Sequence, residues 1–290
     1  MTGKTVLITG ATHGIGLAAA RELAGRDATV VLTGRSAGRC AAAAGLLRAT
    51  HPNATVEWLI GDLAVQSDVR ELAAEYQRRY DRLDVLVNNA GTIEPKASYT
   101  AEGIERTLAV NHLGPFLLTN LLADLLIASA PSRVITVASV AHERGRIDFT
   151  DLELRRRYRP FQAYARSKLA NLLFTYELAR RLEGTDVTAN AMNPGLVRTG
   201  LGRHQGLVPS LGYLVTHLIY RRHSLTPEQG ADTIVYLSSA PDVASTTGEY
   251  FYQRKPVASS AASHDAAAAE QLWGLSEQLT GVQWRVPAPG

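Results

Sequence analysis

The chain has 290 residues, 46% of them hydrophobic, and a single cysteine, Cys40. That length suits one α/β domain with a large aliphatic core, while a lone cysteine without CxxC or Cys/His spacing excludes a disulfide framework and a structural metal site and suggests the reducing cytoplasm. A formal net charge of +3 and a pI near 9.0 come from scattered basic residues, and the short runs at 155–159 and 221–223 do not make a nucleic-acid surface.

Residues 5–9, TVLIT, read as a buried strand, leaving no room ahead of the fold for a targeting segment. A helix through GLAAARELAGR follows, then the strand ATVVLTG, a helix through RCAAAAGLLRAT, the strand TVEWLIG and a helix through SDVRELAAEYQRRY. The series continues with LDVLVNNAG, a long helix over about 101–128, SRVITVAS, a helix through FQAYARSKLANLLFTYELARRL, DVTANAMNPG, a helix near TPEQGADTIVYLSS, and GEYFY. Seven short strands, mostly apolar on both faces and separated by helix-length connections, predict a parallel sheet covered by helices on both sides. The longest apolar stretch, 116–129, is interrupted by Asn120 and Asp124 and falls short of the ~20 residues that span a bilayer.

Two segments break this rhythm. Residues 200–225 carry Leu201, Leu207, Val208, Leu211, Leu214 and Leu218 beside four glycines, and an insertion past the carboxyl end of the sixth strand lies where open α/β sheets bind ligands. It reads as a hinged substrate lid for a lipophilic molecule. Residues 253–290 read as a surface linker followed by a last helix through AAAAEQLWGLSEQL.

TGATHGIG places Gly10, Gly14 and Gly16 between a strand and a helix. Gly10 permits a tight turn, Gly14 lets backbone N–H groups approach a pyrophosphate, and Gly16 allows close packing of helix on strand. Dinucleotide sites of this type usually carry a carboxylate about 20 residues further on, to hold a ribose 2′-hydroxyl. Here that position reads LTGRSAGR. Arg35 offers a planar fork of donors suited to a 2′-phosphate, with Arg39 one helical turn beyond.

The TGxxxGxG spacing, NNAG after the fourth strand, Asn111 in VNHLG, Ser139 ending VITVAS, Tyr164 and Lys168 in YARSK, and NPGLVRT after the sixth strand together resemble the short-chain dehydrogenase/reductase family. VNHLGPFLLTNLL, SKLANLLFTYELARRL and NPGLVRTGL are most similar to its retinol dehydrogenase-like branch. The resemblance implies a single-domain Rossmann fold over 1–290, with a seven-stranded parallel sheet, and an NADP(H)-dependent alcohol/carbonyl oxidoreductase. The cofactor would lie along Gly10, Thr12, His13, Gly14, Ile15, Gly16 and Arg35, with Asp62 at the adenine and Leu63 beside it. Asn88, Asn89, Ala90 and Gly91 would line the adenosine side, with Pro194, Gly195, Val197 and Thr199 near the nicotinamide. Tyr164 would be the acid/base, Lys168 its pKa tuner and a ribose contact, Ser139 a donor to the substrate oxygen, and Asn111 the anchor of a proton-relay water.

Residues four apart share one face of a helix, so Tyr164 and Lys168 look the same way. An ammonium about 4 Å from a phenolate is worth roughly 4 kcal/mol at an effective dielectric near 20, enough to lower a phenol's pKa by two to three units of ~1.36 kcal/mol each. A cofactor-binding sensor without catalysis would tolerate loss of this pair, and a nucleotide-sugar epimerase or dehydratase would show TGxxGxxG spacing and a larger C-terminal domain. The histidines read as turn or surface residues. Surplus apolar residues on the 101–128 and YARSK helices predict a homodimer or homotetramer.

Overall fold

The computed structural model describes residues 1–198 and 224–284. The predicted lid lies outside the described residues apart from Ser224 and Leu225, and so does Thr199.

The strands β1 (Thr5–Ile8), β2 (Thr29–Gly34), β3 (Val56–Ile60), β4 (Val85–Asn88), β5 (Ser132–Val137), β6 (Val187–Asn193), β7 (Tyr250–Tyr252) and β8 (Lys255–Pro256) form one sheet in the order β3-β2-β1-β4-β5-β6-β7-β8. All pairings are parallel except β7 with β8. The order reverses between β1 and β4, and the crevice at such a switch point is where open α/β sheets take ligands.

Alternation along β1 sorts the two cores, because successive strand side chains point to opposite faces. Val6 and Ile8 pack with α1 (Gly14–Ala24), α2 (Ala37–Thr50) and α8 (Pro227–Ser239). Leu7 packs on the other side with α3 (Gln66–Arg79), α5 (Gly114–Leu121) and α7 (Pro160–Arg181).

Two expectations need correction. The sheet has eight strands rather than seven. The extra strand returns through Gln253 and Arg254 at φ of 49° and 63°, two consecutive left-handed residues of the kind that close a tight hairpin.

The helix expected over 101–128 begins later and is broken. Glu105 caps α4 (Arg106–Leu108) by accepting from the Thr107 and Leu108 amides. A π-helical turn, Ala109–Leu113, then places the Gly114 N–H on the Ala109 carbonyl, and α5 is separated from α6 (Ala123–Ala128) at Leu122.

Part of the apolar surface of α5 and α7 is packed against the end of the chain. The last helix, α9 (Ala266–Thr280), starts at an Asp265 cap and ends at Gly281 in the left-handed region. It lies across that surface. The Trp273 ring stacks on Phe174 at 5.8 Å and meets Phe116 edge-on at 4.9 Å, while Leu272 and Ala269 join Leu169, Ala170 and Leu173. Buried His112 belongs here too, with Nε2 3.0 Å from Ser276 Oγ; burial lowers its pKa to about 3, so the ring is a neutral core group.

Candidate active site

Thr9, Gly10 and Asn89 build the turn between β1 and α1. Thr9 Oγ1 accepts the Asn89 and Ala90 amides at 2.9 and 3.0 Å, and Asn89 Nδ2 donates to the Thr9 carbonyl at 2.8 Å. Gly10 has φ +65°, and a Cβ there would sit 2.9 Å from Ala90 Cα; one on Gly16 would lie 2.5 Å from Asn89 Nδ2 and 2.9 Å from the Gly10 carbonyl. Neither position tolerates a side chain. Thr12 and His13 form the tip of the turn, with Thr12 Oγ1 3.3 Å from His13 Nδ1. No side chain caps α1, and its first turn holds no acidic residue, leaving Gly14 and its neighbours at a helix end suited to an anion. Ile15 meets Val197 across Gly230: a Cβ on that glycine would lie 2.6 Å from Val197 Cγ2 and 3.3 Å from Ile15 Cγ1. The first turn of α1 and the loop after β6 therefore both pack against Gly230 of α8. Pro194 and Gly195 open that loop, where Asn193 Oδ1 accepts the Gly195 N–H at 3.0 Å.

At the end of β2, Arg35 leaves 55% of its side chain exposed, with Nη1 3.8 Å from Asp62 Oδ2. Asp62 also receives Arg106 Nη2 at 3.0 Å and the Ala64 amide at 3.0 Å. The Arg106 contact joins residues far apart in sequence, and the sequence reading missed it. Leu63 is buried, its carbonyl facing Gly114. Asn88 turns away from this crevice: its Nδ2 donates to Thr119 Oγ1 at 3.0 Å in the core. Asn89 is the asparagine that faces the glycine turn.

The second cluster forms where α7 crosses the carboxyl end of β5. Lys168 is 3% exposed, and its ammonium donates to the Val137 carbonyl at 2.8 Å. Burial alone lowers its pKa from 10.5 to about 8, so at pH 7 the charged form still outnumbers the neutral by roughly ten to one. Its Nζ stands 5.6 Å from the centre of the half-buried Tyr164 ring. Ser139 caps the 3-10 turn Val140–Arg144 by accepting the Ala141 amide at 3.2 Å.

Asn111 sits within the π-helical turn, a distortion frequent at functional sites. Its amide donates to the Thr92 carbonyl and to Ser167 Oγ, both at 2.9 Å, and accepts the Thr92 N–H at 2.7 Å. Ser167 in turn donates to the Tyr164 carbonyl at 2.7 Å. Asn111 Oδ1 and Lys168 Nζ each lie 3.6 Å from the place a Cβ on Gly91 would occupy. Gly91, Asn111 and Lys168 thus form one neighbourhood, with the YARSK helix bonded to the Asn111 turn. Thr92 and Ser167, which hold Asn111, were not singled out from the sequence; only their places beside Gly91 and Lys168 hinted at them.

The glycine turn and uncapped helix end fit the pyrophosphate of a dinucleotide, and the buried lysine fits a neighbouring ribose. This arrangement, a switch-point crevice beside a Ser/Tyr/Lys cluster, defines a class. The short chain dehydrogenase family profile matches residues 4–206, and the chain belongs to that family. Within it, the chain falls in the retinol dehydrogenase-like branch. It is 44% identical to mouse (Mus musculus) retinol dehydrogenase 14 over 292 residues, covering 97% of this chain and 87% of that protein. Human (Homo sapiens) retinol dehydrogenase 13 is 43% identical over 288 residues, covering 97% and 86% respectively. A solved structure of an uncharacterised protein from Mycobacterium paratuberculosis matches with a TM-score of 0.78 at 36% identity, over 98% of this chain and 96% of that one. The chain is accordingly an alcohol/carbonyl oxidoreductase that uses a nicotinamide cofactor and a small-molecule substrate. Among the described residues no helix is long and apolar enough to cross a membrane.

Proposed function

We propose that the chain interconverts a lipophilic carbonyl compound and its alcohol with NADP(H), using Tyr164 as the acid/base. The observation that carries this reading is the meeting of Lys168, Asn111 and Gly91, with Tyr164 one helical turn from the lysine. Gly10, Gly14, Gly16, Asn89 and Arg35 would hold the cofactor, which when bound supplies or accepts the hydride. Tyr164 gives its phenolic proton to the nascent alkoxide and takes it back in the oxidation direction. Lys168 favours the phenolate by its charge. Ser139 donates to the substrate oxygen, and Asn111, fixed by Thr92 and Ser167, orients the proton path. The buried free thiol of Cys40 suits a reducing compartment, and we place the enzyme in the cytoplasm.

Preference for NADPH over NADH rests on Arg35. The residues following β2 are Arg35 and Ser36, so that strand ends without a carboxylate, and the nearby Asp62 carboxylate is shared by Arg35 and Arg106. A charge-assisted contact of ~1.5–3 kcal/mol corresponds to a preference of roughly ten- to a hundredfold. Arg35→Asp is expected to shift kcat/KM toward NADH by that factor; equal kcat/KM for both cofactors in the wild type would refute the assignment.

The substrate class follows from three large apolar side chains left in the open. Val140, Phe161 and Leu196 are 55%, 50% and 47% exposed. The first adjoins Ser139, the second precedes Tyr164 by one turn, and the third adjoins Gly195. Apolar surface grouped around a site is characteristic of apolar ligands, and the retinol dehydrogenases, named for a lipophilic alcohol, agree with it. Covering such surface is worth ~25 cal/mol per Å². Across straight-chain aldehydes, kcat/KM should rise with length; a flat series, with a small anionic keto acid turned over best, would sink this reading.

A further inference from the structure

His142 is 1% exposed and lies three residues beyond Ser139. Its two ring nitrogens have different partners. Nδ1 lies 2.7 Å from the Ser139 carbonyl, and Nε2 lies 3.1 Å from the backbone nitrogen of Ser260. An amide N–H only donates, so Nε2 must carry the lone pair; a neutral imidazole then bears its proton on Nδ1, which donates to Ser139. The His142 amide donates to the same carbonyl at 3.1 Å. One residue therefore supplies both hydrogen bonds to the Ser139 carbonyl.

The far side of this link is itself braced. Val257 N donates to the Tyr250 carbonyl at 2.8 Å, and the Ser259 hydroxyl lies 2.7 Å from both Tyr176 OH and Ser263 Oγ. Tyr176 belongs to α7, the helix that carries Tyr164 and Lys168. The Tyr250 ring meets the His142 imidazole edge-on at 5.2 Å, closing the remaining side.

We propose that His142 is a positioning residue that fixes Ser139 relative to Tyr164, by tying the end of β5 to a segment anchored on α7. This rests on the reading of Ser139 as donor to the substrate oxygen. That oxygen must lie within hydrogen-bond reach of two hydroxyls on different elements, and a displacement of about 1 Å in such a site costs up to ~10²-fold in rate.

The test measures NADPH oxidation with decanal, alongside NADPH affinity by fluorescence titration. His142→Phe keeps a ring against Tyr250 and the backbone bond to the Ser139 carbonyl but removes the two bonds of the imidazole, and is expected to lower kcat about ten- to a hundredfold while NADPH affinity stays within about twofold. His142→Asn, whose short amide offers a donor near the Nδ1 position but does not reach Ser260, and His142→Gln, which reaches Ser260 but not the Ser139 carbonyl, each hold one end of the tie only, and neither should recover the rate. In a Ser139→Ala background His142→Phe should cost little more, because residues acting through one another are non-additive. Full additivity of the two losses, or near wild-type kcat in either the Asn or the Gln variant, would overturn the positioning role. A crippled Ser139→Ala beside a fully active His142→Phe would overturn it while leaving the role of Ser139 intact. Wild-type kcat in Ser139→Ala would remove the role of Ser139 and the positioning role together.

Discussion

Replacing Tyr164 by Phe is expected to lower kcat by roughly 10²- to 10⁴-fold, the usual contribution of a positioned acid or base, while NADPH affinity stays nearly unchanged. Only the hydroxyl is deleted, and the half-buried ring can keep its place beside Lys168. A mutant retaining a tenth of wild-type turnover would sink the assignment. Lys168 offers a contrasting case. Its ammonium holds the Val137 carbonyl from a fully buried position, so Lys168→Ala should damage turnover and cofactor affinity together, and folding as well. The phenol's loss is chemical; the lysine's is chemical and structural at once.

The second large effect concerns stability. Trp273→Ala should cost about 3–5 kcal/mol, the range for truncating a large buried aromatic side chain, and lower the melting temperature by on the order of 10 °C. Trp273 is 2% exposed, packs on Phe116 and Phe174, and receives the Arg181 guanidinium 4.3 Å from its ring centre. Because its ring partners Phe116, Phe174, Arg181 and Trp284 are not candidate site residues, kcat measured well below the transition should be nearly unaltered. A shift of less than about 2 °C, as for a surface change, would mean that α9 contributes nothing essential to the core.

What the sequence disclosed and what it withheld follow from the range of the interactions concerned. The alternation of Val6, Leu7 and Ile8, the glycine spacing and the Tyr164/Lys168 pair are written within a few consecutive residues, and local rules read them. The β7–β8 hairpin escaped because Gln253 and Arg254 adopt left-handed φ without the glycine or asparagine that normally marks such a turn. Broken helix geometry between Arg106 and Ala128 escaped because the long apolar run masked the signals that Gly114–Pro115 and Asn120 carry. Asn88 and Asn89 are adjacent and chemically identical, and the strand's two-residue period sends one to Thr119 and the other to Thr9. His142, Thr92 and Ser167 gain meaning only from partners brought in by the fold, as does Arg106 beside Asp62. The expectation of a partner subunit started from an apolar surplus on α5 and α7, part of which the last helix of the same chain covers.

That cover comes late in synthesis. Trp273 follows Phe174 by roughly 100 residues, and a ribosome adding about 5–20 residues per second needs some 5 to 20 s to deliver it. Throughout that interval the β1–α1 turn and most of the sheet can form, while Phe116 and Phe174 lack their lid of aromatic and aliphatic groups. The nascent chain therefore passes through a stage in which its cofactor half is nearly complete and its flank is adhesive. Slow translation or early termination between those two points would populate a species recognised by chaperones for holding unfolded clients, and aggregation during expression would be governed by the last helix rather than by the catalytic core.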